Sequence, residues 1–207
     1  MGLQSGMIEF EVDQTQLQRI ELKLKDMKAK APQALKNAVN ATARDAKKDL
    51  ADKAKETYAV KSPRFKKAIA QKNATASNPT ATLTITGKAN SLSDFKYKSN
   101  SGSTGAKGKL YKASALKSLD AGSLKAFVAT FASGHVAVVR RDPPNQYKDV
   151  AARRKIGDTT KIKEFYSPSI PRMIGNEAKV YGIVKPNIEK NLQKNIQKQI
   201  DKILGGK

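Results

Sequence analysis

The sequence predicts an α+β fold, with a long N-terminal helical segment and a C-terminal amphipathic helix packed on a small, mostly antiparallel sheet. Three observations predict it. Apolar residues recur three or four apart over 15–58, they recur four apart over 180–204, and between these runs short stretches alternate apolar with polar residues. At 207 residues the chain fits a single domain, read here as 1–207.

The first element is a strand over 7–13, where Met7, Ile8, Phe10 and Val12 are interleaved with Glu9, Glu11 and Asp13. A helical segment over 15–58 follows. Leu17, Ile20, Leu24, Met27, Ala31, Leu35, Ala38, Thr42, Ala46, Leu50, Ala54 and Tyr58 form its stripe, and no glycine interrupts them. Pro32 must lie at a kink or in the first turn of a second helix, because an interior proline costs about 3 kcal/mol. Much of the stripe is alanine, so whatever packs on it can approach closely. Asp45, Asp49, Asp52 and Glu56 lie near enough to lysines on the opposite face for i,i+4 pairs.

"SPRFKKAIA" (62–70) reads as a short helix with Ser62 as N-cap and Pro63 at its first position. Region 80–141 reads as the sheet. Its clearest strand is "TATLTITG" (80–87), which alternates threonine with Ala81, Leu83 and Ile85. Residues 99–108 hold three glycines and three serines without an apolar anchor, which predicts a mobile loop. The flanking "DFKYK" and "KLYKASAL" alternate aromatic and basic residues and can pair as a hairpin around it. Residues 126–141 read as a second hairpin turning at Gly134 and His135 and ending in Arg140 and Arg141.

A polar, basic loop is expected over 142–163, and an apolar elbow punctuated by Pro168 and Pro171 over 164–177, anchored by Ile170, Met173 and Ile174. The C-terminal helix spans 178–204, with Val180, Val184, Ile188, Leu192, Ile196, Ile200 and Leu204 four apart and Pro186 at a start or kink. Four residues turn an α-helix by about 400°, so such a stripe drifts about 40° per step. One straight partner cannot cover it, and the helix is expected to touch several surfaces.

Composition narrows the function. Forty Lys+Arg against eighteen Asp+Glu give a net charge of +22, which favours polyanionic partners. The charge is spread along the chain rather than gathered on one helix, which speaks for a bulk field and against base readout. Without cysteine there is no thiol nucleophile, disulfide or zinc thiolate site. His135 is the only histidine, Ser133 beside it is poorly spaced for a nucleophile and base, and the acids are scattered among lysines. "GSTGAKGK" (102–109) looks like a phosphate-binding loop but continues into Leu110, where serine or threonine is required. No catalytic residue, metal ligand or cofactor is expected. A signal peptide and a spanning helix are not expected either, and the helices carry too few bulky aromatics to lie on a membrane.

The order of segments is distinctive. "TATLTITGKANSLSDF", then "FVATFASGHVAVVRR", then "EFYSPSIPRMIGNE" and a closing amphipathic helix together resemble the minor tail protein Z, or tail completion, family of tailed bacteriophages. "NAVNATARDAKK" and "VKSPRFKKAI" fit the same pattern, the elbow Tyr166-Ser167-Pro168-Ser169-Ile170-Pro171 is its most specific part, and the likeness covers roughly residues 30–204. The basic loop departs from it in being longer and richer in Lys and Arg. The resemblance implies a non-enzymatic virion protein that completes the head-proximal end of the tail and supports head–tail joining. It further implies a homo-oligomeric ring, hexameric to match the tube, whose partners are a tail terminator or tail tube protein, head connector proteins and passing double-stranded DNA, with no membrane. Arg140 and Arg141, at the charged end of the hairpin, and Tyr166, Ile170 and Met173, in the elbow, are the candidate interface residues. A stand-alone basic nucleic-acid-binding protein is the rival reading.

Overall fold

The protein is described from a computed structural model that covers residues 4–10, 14–61, 63–99, 105–146 and 159–205. It is α+β, as expected, but packs as two compact units: Met1–Glu56 with Arg64–Lys88 and Ser169–Lys207, and Thr57–Pro63 with Ala89–Pro168. The reading from sequence counts one domain. The chain passes between the units at 56/57, 63/64, 88/89 and 168/169, so no single shift in composition marks a boundary.

In the first unit, strand β1 (Gln4–Phe10) is followed by helices α1 (Gln14–Leu24) and α2 (Ala31–Thr57), joined by a 3-10 segment, Lys25–Lys30. The break is where Lys25 takes a left-handed φ of 47° and Met27 leaves helical geometry. Pro32 stands in the first turn of α2, where its missing N–H is not needed. Residues 11–13 of the expected first strand, and Ser62, lie outside the described residues.

The alanine stripe is buried as its spacing predicts. Ala31, Ala34, Leu35, Ala38, Val39, Ala43, Ala46, Leu50 and Ala54 are 0–3% exposed, and each fully buried Leu contributes roughly 1.5–3 kcal/mol. Thr42 is buried among them without penalty: its Oγ1 donates to the Ala38 carbonyl (2.9 Å) and accepts from Asn195 Nδ2 (3.0 Å). Of the ladder of charge pairs expected on the outer face, only Lys53–Glu56 (3.5 Å) forms among the described residues, and it is too exposed to add much.

Helix α3 (Phe65–Ala68) lasts one turn before the chain straightens into β2 (Ile69–Lys72), so the expected helix loses its last two residues to a strand. With β3 (Ala81–Gly87), these strands make an antiparallel sheet in the order β1-β3-β2, Ile8 facing Leu83 and Ile69 facing Ile85. Ala81, Leu83 and Ile85 point inward and are 0–2% exposed. Asn40 on α2 clamps the loop after β2, accepting from Ala74 N–H (2.7 Å) and donating to Ala74 C=O (3.1 Å).

Helix α4 (Ile170–Ile174) lies on β3 and β1. Helix α5 (Tyr181–Leu204) carries Pro186 in its first turns. The helix does reach more than one surface. Asn187 and Asn195 bond Asp49 and Thr42 of α2, while Gln197 accepts from Lys23 and Ile196 and Ile200 face Ile20 of α1. By Leu204 the stripe has rotated outward, and that residue is 49% exposed.

The second unit holds β4 (Ala89–Ser91), a 3-10 turn over Leu92–Asp94, β5 (Lys96–Ser99), β6 (Ala106–Lys109), β7 (Lys117–Ser118), β8 (Ala126–Thr130), β9 (Val136–Gln146), β10 (Thr160–Glu164) and β11 (Tyr166–Ser169). They pair as β5-β6-β7, β10-β9-β8 and β11-β4. Segment 57–61 straps the first of these sheets through Ala59 N–H to Leu110 C=O and the Val60–Phe95 bridge, and Phe95 is fully buried.

Two expectations need correction. Of the loop expected over 99–108, residues 100–104 lie outside the described residues, while Ser99 and Ala106–Gly108 are strand: β6 begins at Ala106 and pairs with β5, so "DFKYK" meets "AKGK", of which only Lys109 belongs to "KLYKASAL". Absence of bulky residues hid this strand, yet it suits a close approach, because a Cβ on Gly108 would stand 3.2 Å from Leu92 and 3.3 Å from Leu119. Likewise the basic loop over 142–163 is strand at both ends, β9 running on to Gln146 and β10 starting at Thr160; residues 147–158 lie outside the described part. Backbone pairing across a bulge between Thr160 and Ile162 supplies the order that periodicity did not signal.

Candidate assembly surface

Arg140 and Arg141 sit in the middle of β9, not at its end. Arg140 faces Ala126 on one side and Lys163 on the other, while Arg141 faces Ile162. Both are half-buried. The Arg140 guanidinium lies 5.4 Å from the Phe165 ring centre and that of Arg141 lies 5.5 Å from Phe127, and Arg141 Nη1 donates to the Thr160 carbonyl (3.1 Å). Such cation–π contacts contribute about 0.5–1 kcal/mol each when exposed. The guanidinium groups themselves lie over the aromatic rings.

The elbow residues divide by burial. Met173 is fully buried in the first unit, and Ile170 rests on Gly87, where any added Cβ would meet Ile170 Cβ at 3.0 Å. Pro171 packs similarly on Gly6. Tyr166 is 48% exposed, and its hydroxyl is engaged.

That hydroxyl leads to the cluster that reading the sequence missed. Tyr166 Oη donates to Glu164 Oε2 (2.9 Å), and His135 Nε2 lies 3.2 Å from both oxygens of the same carboxylate. A carboxylate only accepts, so Nε2 carries the proton in this pair. Ser91 bonds Glu164 as well. The imidazole stacks on Phe131 with centroids 5.7 Å apart and 21° between planes, across a turn closed by Gly134 N–H to Phe131 C=O (2.8 Å), with Gly134 at φ +80°. Phe131, Val136 and Tyr166 are all at least 36% exposed around it. The hairpin tip is thus an exposed apolar cluster pinned by one acid from β10.

The chain has no match among family models, curated proteins or solved structures. The chemistry of the cluster therefore has to be read from its own geometry. Serine and imidazole both bond the carboxylate, and a nucleophile relay requires the hydroxyl to bond the imidazole instead. Among the described residues no group of three or more His, Cys, Asp or Glu side chains is placed to hold a metal ion, and no described helix is long and apolar enough to cross a membrane.

Burial pushes the Glu164 carboxyl up, but hydrogen bonds from Ser91, Tyr166 and His135 outweigh it and hold the group below its ordinary value of 4.5. A depressed carboxyl contributes stability that is present above the ordinary value and lost as pH falls through the lower folded-state value. Amide protection at the hairpin tip is therefore expected to fall on acidification below 4.5, and Glu164→Gln should flatten that loss when followed by hydrogen exchange. An unchanged acid profile in the variant would show that Glu164 does not pin the tip.

Nothing local in the sequence links Glu164 to His135, which stand 29 residues apart. The one available signal was that "KIKEFY" places a lone acid among basic and aromatic residues.

Proposed function

We propose that the protein is a non-enzymatic structural component of a phage virion that completes the head-proximal end of the tail and supports head–tail joining, as a homo-oligomeric, hexameric ring around the DNA channel. The observation that carries this reading is the elbow from Tyr166 to Pro171. Its sequence is the most specific part of the family resemblance, its far end is locked on the glycines of a sheet, and its first residue belongs to an exposed aromatic cluster. Exposed Tyr and Phe and the half-buried Arg140 and Arg141 are of the residue types enriched at protein interfaces. A closed ring requires two different surfaces on each chain; the hairpin tip is a candidate for one. Its neighbours in the tail are a tail terminator or tube protein and the head connector.

Charge reversal of both arginines (Arg140→Glu with Arg141→Glu) is expected to lower infectious particle yield at least about tenfold, as loss of an interface hot spot would. The variant's melting curve should be recorded alongside, since both guanidiniums also cover aromatic rings. Unchanged yield would remove the arginines from the interface.

The net charge of +22 favours a second reading, a stand-alone nucleic-acid-binding protein. A salt titration separates them. Tight, sequence-independent duplex binding by the isolated monomer at physiological salt supports the second reading; weak binding, with rings forming beside tail proteins, supports the first.

A further inference from the structure

The β5–β6 ladder sets Lys96 opposite Lys109 and Lys98 opposite Lys107. Side chains alternate along a strand, so these four share one face, while Tyr97, Ala106 and Gly108 share the other. Burial agrees: Ala106 and Gly108 are buried, and Lys96, Lys98 and Lys107 are exposed. Like charges directly opposite one another destabilise an antiparallel pair, and here two such pairs are consecutive. Lysine on an edge strand protects against pairing with other chains. That accounts for Lys96 and Lys98 on β5, but β6 is the central strand of its sheet, and Lys107 and Lys109 need another reason.

Two lysines of the grid, Lys96 and Lys109, also line a cleft of about 380 Å³ together with Lys61, Tyr97, Lys112, Ala59 and Val60. Backbone carbonyls hold two of its ammonium groups in place: Lys61 Nζ donates to Ser93 C=O (2.8 Å) and Lys109 Nζ to Lys112 C=O (2.7 Å). The ion pairs among the described residues are Lys53–Glu56, Lys125–Asp120 and His135–Glu164. None of them neutralises a lysine of the grid or cleft. Local repulsion concentrated at one place, without a packing role, marks a site where a ligand supplies the missing charge.

We propose that this lysine grid and its cleft bind the phosphodiester backbone of DNA. Rows of ammonium groups repeating every second residue, about 6.8 Å along each strand, fit an anion with charge at regular intervals, as a phosphodiester backbone offers. Lys61 Nζ stands over one face of the Tyr97 ring, 4.1 Å from its centre, and adds a further ammonium group to the cleft. The inference rests on lysine geometry alone and holds whether the protein acts in a ring or by itself.

Binding of a short fluorescent duplex by the full chain, measured by anisotropy over a salt series starting at low salt, tests it. The combined variant Lys96→Ala, Lys98→Ala, Lys107→Ala and Lys109→Ala is compared with an equal charge change on the exposed face of α5, Lys190→Ala, Lys194→Ala, Lys198→Ala and Lys202→Ala. Each lost phosphate contact reduces the slope of log K against log salt by about 0.9, so the grid variant should lose about 3–4 in slope and about tenfold or more in affinity. The α5 variant should lose much less. The grid variant should also melt at a higher temperature, because two repulsive pairs are gone, and the Lys98→Ala, Lys107→Ala double variant should move the same way. Equal losses in both four-lysine variants would reduce DNA binding to the bulk charge and overturn the proposal. Equally, polyglutamate that binds as tightly as the duplex and loses as much in the grid variant would overturn the choice of nucleic acid. Oligomeric state and particle yield read the tail-assembly proposal separately.

Discussion

Phe95→Ala is expected to destabilise the second unit by about 3–5 kcal/mol. Phe95 is fully buried, bridges Val60, and donates its N–H to Leu92 C=O (3.0 Å) at the point where the chain enters β5. Truncation removes the ring from the layer beneath β5 and β6 and leaves a cavity that the paired backbone cannot close. The strap over 57–61, which bonds to both Asp94 and Lys96, should loosen with it. Urea unfolding followed by hydrogen exchange checks this: protection should fall first at β5, β6 and residues 57–61. A loss below about 1 kcal/mol, the size of an ordinary surface substitution, would mean that Phe95 is not the centre of this core.

Met173→Ala should cost about 2–5 kcal/mol, and Tyr166→Ala within about 1 kcal/mol. The two residues stand seven apart in one elbow, and apolar content alone grades them alike. Met173 is fully buried in α4, under which Pro171 and Ile170 already sit against Gly6 and Gly87, so no smaller side chain can be compensated by sliding the helix onto the sheet. Tyr166 leaves nearly half its surface in solvent and gives up one hydroxyl bond to Glu164. The functional readout should invert. Particle yield corrected for folded protein should fall for Tyr166→Ala, as expected of an exposed interface anchor, and hold for Met173→Ala. Should the corrected yields rank the other way, the elbow would act through its core and not its surface.

How much was legible differs by element. Helix α2 and strand β3 were plain because their apolar residues keep one period over many positions, and burial follows that period: Leu35, Leu50, Leu83 and Ile85 are all inside. Strand β6 was invisible, since "AKGK" has no apolar side chain larger than alanine and owes its place to backbone pairing with β5. The far half of β9 is polar and carries two prolines, and β10 has Ile162 as its single large apolar residue, so neither shows a period and both owe their place to backbone pairing. Of the candidate site, Tyr166 was found for its composition, whereas Glu164 was missed because its bond to His135 joins residues from different hairpins.

What could be known without coordinates was the α+β class, the inward face of each long helix, and a charge of +22 that calls for polyanionic partners, because composition and periodicity are properties of adjacent residues. Folding alone decided that Arg140 and Arg141 lie mid-strand, that Glu164 joins His135, Tyr166 and Ser91, and that four lysines face one another across β5 and β6. Each of these depends on strand register. Register is set by hydrogen bonds between residues distant in the chain, and a shift of one residue would turn every side chain to the other face.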